Sequence, residues 1–250
     1  MHEMPINSKL FEEYIQKNSL FEKARKHLKE YLEIWWEEDS DAFLEGMRAS
    51  FEKVIKEYKF TDKIVSIKKN FLYEPPQDYL SVSICIDDEE GDWVSQYDAF
   101  FDFSFVLFDD VLDDVNYLRS KKKVCLNCGI TLHEPPINSK FFEEYIQKNG
   151  LLEKTREFLR EYFESYYNDT PDLFVEDMGV PFEKMMKEYR FRLKTVEIKK
   201  NFLYEPPRDY LAVSIWIENE KGDYISENTV FFDFLFEVFD DTATVKEEFH

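Results

Sequence analysis

The chain has 250 residues, of which 53 are Asp or Glu and 32 are Lys or Arg, so its formal charge is −21 at pH 7. A net charge of this sign disfavours direct binding to nucleic acid or to an acidic membrane leaflet, because both attract cationic proteins. Hydrophobic residues make up 44% of the sequence and aromatic residues 18%, which is too much apolar material for a disordered acidic tail.

Helical patterns come first along the chain. A short helix is predicted from the apolar spacing of residues 10–15. Ser19 and Glu22 have the spacing of a capping box, which predicts that a second helix begins there. A third helical region covers residues 41–58, and we expect it to be split, because Pro181 interrupts the corresponding segment later in the chain. The residues predicted to form the buried face of the second helix are Leu20, Phe21, Leu28, Leu32 and Trp35.

The apolar period then changes from about 3.6 residues to 2, which indicates strands. Residues 65–67, 80–86 and 101–107 alternate in this way, and turn sequences at 74–76 and 87–92 separate them. Helices followed by closely spaced strands predict an α+β fold, with helices covering one face of an antiparallel sheet. We expect the other face to be left for water or for a partner.

The sequence repeats itself with a constant offset. HEMPINSK at His2–Lys9 returns as HEPPINSK at His133–Lys140, so position 133 corresponds to position 2. Residues 2–110 align with 133–241 without a gap, and 65 of these 109 pairs are identical. We predict two tandem copies of one domain, at 1–110 and 133–250, joined by a connector over 111–132. Each copy is expected to have N-terminal helices packed on an antiparallel sheet of three or more strands.

No export or membrane segment is expected. Charged residues interrupt the first 20 positions, so the apolar run of a secretory signal is missing there. The apolar runs elsewhere are far shorter than the roughly 18 residues that cross a bilayer. Three cysteines, Cys85, Cys125 and Cys128, are odd in number and too few for a disulfide framework. We therefore expect a cytoplasmic location.

Negative charge is concentrated in the strand-forming segments. Residues 1–69 hold 14 acidic and 13 basic side chains, whereas residues 70–118 hold 13 acidic side chains and no Lys or Arg. In the second copy, residues 201–241 hold ten acidic side chains against Arg208 and Lys221. Crowded carboxylates destabilise a fold by mutual repulsion, so a dense outward patch in each copy favours attraction to a basic partner.

The predicted partner-binding residues are therefore acidic. Aromatic side chains among them, Trp93, Tyr97, Phe100 and Phe101, are candidate anchors at an interface or members of the core. The acidic set comprises Asp87, Asp88, Glu89, Glu90, Asp92, Asp98, Asp102, Asp109 and Asp110 in the first copy, and Glu218, Glu220, Asp223, Glu227, Asp233, Glu237, Asp240 and Asp241 in the second.

Few segments of the sequence match known catalytic or metal-binding motifs. The chain has no G-x-S-x-G, G-x-x-x-x-G-K or H-E-x-x-H segment, and we expect no enzymatic activity and no cofactor. The C-x-x-C-G segment at Cys125 and Cys128, with His133 five residues further on, resembles one knuckle of a zinc ribbon. Tetrahedral zinc needs four ligands, so a fourth would have to come from elsewhere. The alternative is a pair of loop thiols.

In general character the chain resembles the small acidic immunity proteins that bacteria keep in the cytoplasm to neutralise toxins, many of which are basic nucleases. The resemblance covers acidity and duplication and no motif. It implies a non-enzymatic protein that neutralises a basic protein partner, such as a toxin or nuclease, by an acidic surface that can imitate nucleic acid. The alternative is a tandem structural or adaptor protein whose acidity serves solubility only. A third possibility is an enzyme with a carboxylate-bound metal.

Overall fold

The computed structural model describes residues 8–114, the first half, and residues 139–245, the second half. Each half consists of four helices followed by four strands. In the first half these are α1 (Ser8–Lys17), α2 (Leu20–Glu38), α3 (Ser40–Met47), α4 (Phe51–Glu57), β1 (Lys59–Asn70), β2 (Gln77–Asp87), β3 (Trp93–Phe101) and β4 (Leu107–Asp114).

Every element of the second half begins and ends at the positions that the sequence repeat pairs with the ends of its counterpart. The second half contains α5 (Ser139–Lys148), α6 (Leu151–Asp169), α7 (Pro171–Met178), α8 (Phe182–Glu188), β5 (Arg190–Asn201), β6 (Arg208–Glu218), β7 (Tyr224–Phe232) and β8 (Val238–Val245).

The eight strands form one antiparallel sheet in the order β4-β3-β2-β1-β5-β6-β7-β8. The sheet is continuous across the two halves, because β1 pairs with β5 at its centre. Ile67 lies opposite Ile198, and the register on either side is reciprocal, with Val65 opposite Lys200 and Lys69 opposite Val196. The prediction of an α+β fold with helices ahead of an antiparallel sheet is confirmed.

The long helix α2 packs on the sheet through the face that the sequence predicts. Leu20, Phe21, Leu28, Leu32 and Trp35 are all buried. The corresponding helix α6 buries Leu151, Leu159 and Phe163. Helices and sheet share one hydrophobic core, which also contains side chains of β1, β2 and β3. Burial of such apolar area is the main force that holds the layers together.

The capping box predicted at Ser19 is wrong. Ser19 has left-handed backbone angles, φ 50° and ψ 49°, and its side chain makes no capping hydrogen bond. It links the end of α1 to the start of α2, a sharp turn that needs positive φ. Gly150 stands at the equivalent point with φ 58°, and glycine adopts this conformation without the steric cost that a Cβ brings.

The predicted split of the third helical region is confirmed. Helix α3 ends at Met47 and α4 begins at Phe51, and the second half is divided at the same point. The Ser50 hydroxyl accepts a hydrogen bond from the Lys53 backbone N–H at 3.5 Å. Pro181 occupies the matching position ahead of α8, where the missing N–H costs nothing because the first N–H groups of a helix have no intrahelical acceptor.

The strand predicted over residues 101–107 is wrong, because the chain turns there. The Asp102 carboxylate accepts hydrogen bonds from the backbone N–H groups of Ser104, at 2.8 Å, and Val106, at 3.0 Å. Phe105 has a φ of 62°. The turn ends β3 at Phe101 and starts β4, which continues to Asp114, beyond the point at which the connector is predicted to begin.

Two buried lysines tie the halves together on the helix-covered face of the sheet. Lys69 is 1% exposed, and its Nζ lies 3.1 Å from Asp78 Oδ1 and 2.9 Å from Glu143 Oε1 of helix α5. The second half makes the reciprocal contact with the first. Lys200 Nζ lies 3.3 Å from Asp209 and 3.5 Å from Glu12 of helix α1. Each half therefore supplies a lysine to a glutamate of the other.

Candidate functional site

The hairpin that joins β2 to β3 has an exposed acidic turn, and we call residues 87–93 the β2–β3 tip. The Asp88 carboxylate closes the turn by accepting hydrogen bonds from the backbone N–H groups of Glu90, at 3.0 Å, and Asp92, at 2.9 Å. Gly91 supplies the positive φ of 89° that the turn requires. The side chains of Glu89, Glu90 and Asp92 lie at the exposed surface around this turn.

An exposed tryptophan adjoins these carboxylates. Trp93 is 44% exposed at the start of β3. The other candidate anchors are less accessible: Tyr97 and Phe101 are fully buried, and Phe100 packs against Tyr79 with ring centroids 5.8 Å apart. Of the four aromatic candidates, Trp93 has the exposure that an interface anchor needs. Tryptophan is among the residue types that contribute most to binding when a partner covers them.

One cation from the helical layer contacts the tip. Lys53 Nζ of helix α4 lies 2.8 Å from Glu89 Oε1, and both side chains are 43% exposed. This ammonium holds the pKa of Glu89 below its ordinary value. The five carboxylates of the tip and Lys53 together carry −5 + 1 = −4. The tip therefore stays strongly anionic at neutral pH.

The corresponding tip of the second half, residues 218–224, is less acidic. Asn219 replaces Asp88 and accepts the same two turn hydrogen bonds, each 2.9 Å long. Lys221 stands where the first half has Glu90, and Arg192 pairs with Glu218 at 3.0 Å. The ring of Tyr224, which replaces Trp93, packs against Trp216 with centroids 5.5 Å apart. Glu220 and Asp223 remain exposed. The two tips therefore differ in charge and in their aromatic residue.

Two of the predicted binding residues lie on the sheet face opposite the helices and are engaged there. The Asp98 carboxylate accepts hydrogen bonds from the Ser83 hydroxyl and from Gln96 Nε2, the second at 2.8 Å. The Glu227 carboxylate accepts one from Lys194 Nζ at 2.6 Å and one from the Trp216 indole at 3.3 Å. These contacts give both carboxylates a structural role.

Other predicted residues close the turns that lead to the edge strands. Asp102 has this role ahead of β4. Asp233 has the same role ahead of β8, where it accepts hydrogen bonds from the backbone N–H groups of Leu235, at 2.8 Å, and Glu237, at 3.0 Å. The Glu237 side chain is exposed. Aspartate is common at such positions because its short side chain reaches the backbone two residues further on.

The remaining predicted residues lie on the two outermost strands of the sheet. Asp109 and Asp240 are exposed, whereas Asp110 accepts a hydrogen bond from the Tyr97 hydroxyl at 2.9 Å. Partial burial raises the pKa of Asp109 and of Asp241. Charged side chains on an edge strand oppose pairing with the edge of another sheet. These carboxylates therefore have a physical role that needs no partner.

The expectation of one dense outward patch in each half is thus wrong, because the acidic residues divide among tips, turns, edges and the face opposite the helices. The sheet face opposite the helices, which we expect to be left for water or for a partner, has a buried carboxylate at its centre. Glu197 is 5% exposed there, with Lys68 Nζ 3.2 Å from its Oε1 and Lys199 Nζ 3.5 Å from its Oε2. Burial alone would raise the pKa of Glu197, but the two ammonium groups bring it below its ordinary value. Long lysine stems and aromatic rings cover the surrounding strands, with Lys68 over Phe100 at 5.6 Å.

The candidate zinc ligands Cys125, Cys128 and His133 lie outside the described residues. Within residues 8–114 and 139–245, no three His, Cys, Asp or Glu side chains are grouped so as to hold a metal ion. In the same two segments, no helix has the length and apolar character that a bilayer crossing requires.

Comparison with known proteins gives no identity: no family model, no curated protein and no solved structure matches this chain.

Proposed function

We propose that the chain is a non-enzymatic acidic protein that binds and neutralises a basic protein, and that the β2–β3 tip of the first half makes the charged contact. A bacterial toxin or nuclease is the partner class that this charge would suit, with the tip imitating part of a nucleic acid. The observation that carries the proposal is the exposed Trp93 beside the exposed side chains of Glu89, Glu90 and Asp92. An aromatic anchor within a charged rim is the usual composition of a protein interface.

The contrast between the two halves supports the choice of this tip. Asp109, Glu237 and Asp240 are also exposed, but they lie on an edge strand or in the turn that leads to one, whereas Glu90 and Asp92 lie beside the exposed Trp93. Solubility alone would be served equally by both tips. The first tip, however, lacks the lysine that the second carries at residue 221.

We also infer that the two halves are tandem copies of one domain and that the protein works in the cytoplasm. The offset between the halves, which is constant in the sequence and in the element bounds, supports the first inference. Cys85, a buried free thiol of β2, is compatible with a reducing compartment.

Two charge-matched variants test the proposed function. The tip variant carries Glu89→Gln, Glu90→Gln and Asp92→Asn. The control variant removes the same number of carboxylates from exposed positions of helix α2, by Glu33→Gln, Glu37→Gln and Glu38→Gln. Both change the formal charge from −21 to −18. Each is used as bait for proteins of the source cell, beside the wild-type chain and Trp93→Ala.

The proposal predicts that wild type and the α2 control retain the same basic protein, and that the tip variant and Trp93→Ala lose it. Retention is expected to weaken steeply as salt is added. At 0.1 M salt, dissolved ions largely screen the attraction between exposed charges that are more than about 10 Å apart. Equal retention by all four baits, or retention of acidic proteins only, would instead favour an adaptor whose acidity serves solubility.

A further inference from the structure

A groove of about 480 Å³ opens between the two halves of the chain. Phe71 and Pro76, from the loop after β1, form one wall. Ile146, Leu152 and Leu193, from α5, α6 and β5, form the other. Glu143, Gln147 and Glu153 complete the lining and supply its polar groups. The groove is therefore apolar along its walls and acidic at its rim.

The corresponding place on the other side of the sheet centre is filled by the protein's own aromatic ring. Phe21 lies there edge-on to Phe202, with ring centroids 5.2 Å apart and an interplanar angle of 87°. Phe21 is only 6% exposed. The equivalents in the opposite half are Leu152 for Phe21 and Phe71 for Phe202. Because leucine replaces phenylalanine, Phe71 lacks the ring that covers Phe202.

A second difference between the halves makes the groove more apolar. Asp62 of the first half forms an ion pair with Arg25 of helix α2. Leu193 stands at the equivalent position in the groove wall. Arg156, the equivalent of Arg25, donates instead to the Phe191 backbone oxygen at 2.9 Å. The groove therefore has leucines where the counterpart has the ring of Phe21 and the carboxylate of Asp62, so its walls are hydrocarbon.

The charge at the rim favours a cation beside the ring. Glu143 shares the buried Lys69 with Asp78, at 2.9 and 3.1 Å, and Glu153 is exposed at the start of α6. These three carboxylates and one ammonium sum to −3 + 1 = −2. A ligand with positive charge next to an aromatic group matches this arrangement.

We propose that the groove receives an aromatic side chain, flanked by lysine or arginine, from the basic protein partner. This inference rests on the proposed function and adds a second contact to it, separate from the β2–β3 tip. The ring of the partner packs edge-on against Phe71, as the ring of Phe21 packs against Phe202. Ring pairs in this edge-on geometry add affinity beyond the area they bury.

Three capped tripeptides serve as probes of the full-length chain: acetyl-Lys-Phe-Lys-amide, acetyl-Lys-Ala-Lys-amide and acetyl-Glu-Phe-Glu-amide. Binding is followed by NMR of methyl-labelled protein, read at Ile146, Leu152 and Leu193. We expect the Lys-Phe-Lys peptide to shift these methyl signals saturably, with an affinity at least about tenfold above that of either other peptide, because only it supplies both the ring and the charge.

Two variants test the site itself. Leu152→Phe supplies the ring that the equivalent position of the first half has, and Leu193→Asn places a polar, uncharged side chain in the hydrocarbon wall without changing the charge at the rim. Each should weaken Lys-Phe-Lys binding at least about tenfold. Leu173→Phe makes the same leucine-to-phenylalanine change on the exposed surface of α7, where Leu173 is 53% exposed, and should leave binding unchanged. The signals of residues outside the groove show that each variant is folded.

The inference is overturned if the three peptides bind within about twofold of one another, or if the two groove variants bind Lys-Phe-Lys as wild type does. Failure of the proposed function gives a different result. In that case the tip variant and wild type retain the same proteins, whatever the peptides do at the groove.

Discussion

Replacing Lys69 by methionine should destabilise the fold far more than replacing a lysine on the surface. The ammonium is 1% exposed and compensates Asp78, which is 17% exposed, and Glu143, which is 43% exposed. Removing one partner of a buried ion pair costs about 3–5 kcal/mol, because the other charge is left uncompensated. Glu143 can turn toward water, so Asp78 carries most of this cost. We expect a loss of about 3 kcal/mol for Lys69→Met.

Urea unfolding at pH 7 measures this loss. With a slope of about 2–3 kcal/mol per molar urea, a loss of this size lowers the midpoint by about 1 M. The loss of unfolding free energy for Lys200→Met should agree with that for Lys69→Met to within about 1 kcal/mol, because Lys200 forms the reciprocal ion pairs with Asp209 and Glu12. The control is Lys26→Met. Lys26 pairs with Glu30 at 3.8 Å with side chains 75% and 52% exposed, so its removal should cost less than about 0.5 kcal/mol.

A double variant separates lost packing from uncompensated charge. Lys69→Met combined with Asp78→Asn removes the buried carboxylate together with the ammonium and should recover about half of the loss. A loss of stability for Lys69→Met no larger than that for Lys26→Met would contradict the expected role of the buried ammonium. That result would mean that water reaches the ammonium and that the halves are not joined by buried charge.

Three further changes test other parts of the structure. Cleavage at a protease site placed between residues 114 and 139 should leave the two halves eluting together in gel filtration, because β1 and β5 pair across the sheet centre; separate elution would contradict that pairing. Glu197→Gln should reduce stability most near neutral pH. The pKa of Glu197 in the folded protein is lowered from 4.5, so the ionised carboxylate stabilises the fold fully above pH 4.5, and this stabilisation is lost as the pH falls through the lowered pKa. A thermal-melting difference from wild type that grows on acidification would refute this. Ser19→Ala should change stability by less than about 0.5 kcal/mol, whereas a loss of about 1 kcal/mol in urea unfolding would restore the capping role that the sequence suggests.

Elements whose sequence agrees with one repeating period were predictable. The apolar residues of α2 recur at helical spacing, and all five predicted buried positions are buried. Pro181 indicated the break in the third helical region because a proline inside a helix lacks the donor that the helix needs. The alternation of Leu80, Val82 and Ile84 likewise identified β2. In these segments local pattern and tertiary packing favour the same structure.

Strand ends were harder to predict, because side chains there replace backbone pairing. The phenylalanines at 101, 103 and 105 alternate as a strand would, yet the Asp102 carboxylate binds two backbone N–H groups and turns the chain. Strand β4 contains four aspartates among its eight residues, a composition that is unfavourable for strands in general but suits an exposed edge.

The join between the halves could not be read from the sequence. Lys68, Lys69 and Asn70 look like the polar end of a strand, and a buried lysine is rare. Lys69 is buried beside Glu143, and Lys68 is partly buried beside Glu197. Both glutamates are remote in the chain and become neighbours of these lysines only when β1 and β5 pair. The identical lysine pair at 199–200 was the available signal, because a duplicated edge strand can pair with its own copy. The acidic composition likewise located the charged strands but not the division of their carboxylates among turns, edges and tips.

The proposed function requires that the β2–β3 tip guide a basic protein to this chain. It is tested most directly by the association rate constant of the basic protein retained by the wild-type bait, measured by stopped flow at about 0.05 and 0.5 M salt. We expect the α2 control to associate as fast as wild type at both salt concentrations. The tip variant should be about tenfold slower at low salt and nearly equal to wild type at high salt, where screening removes the attraction. Equal slowing by the tip and α2 variants would show that overall charge alone attracts the partner and would contradict the claim.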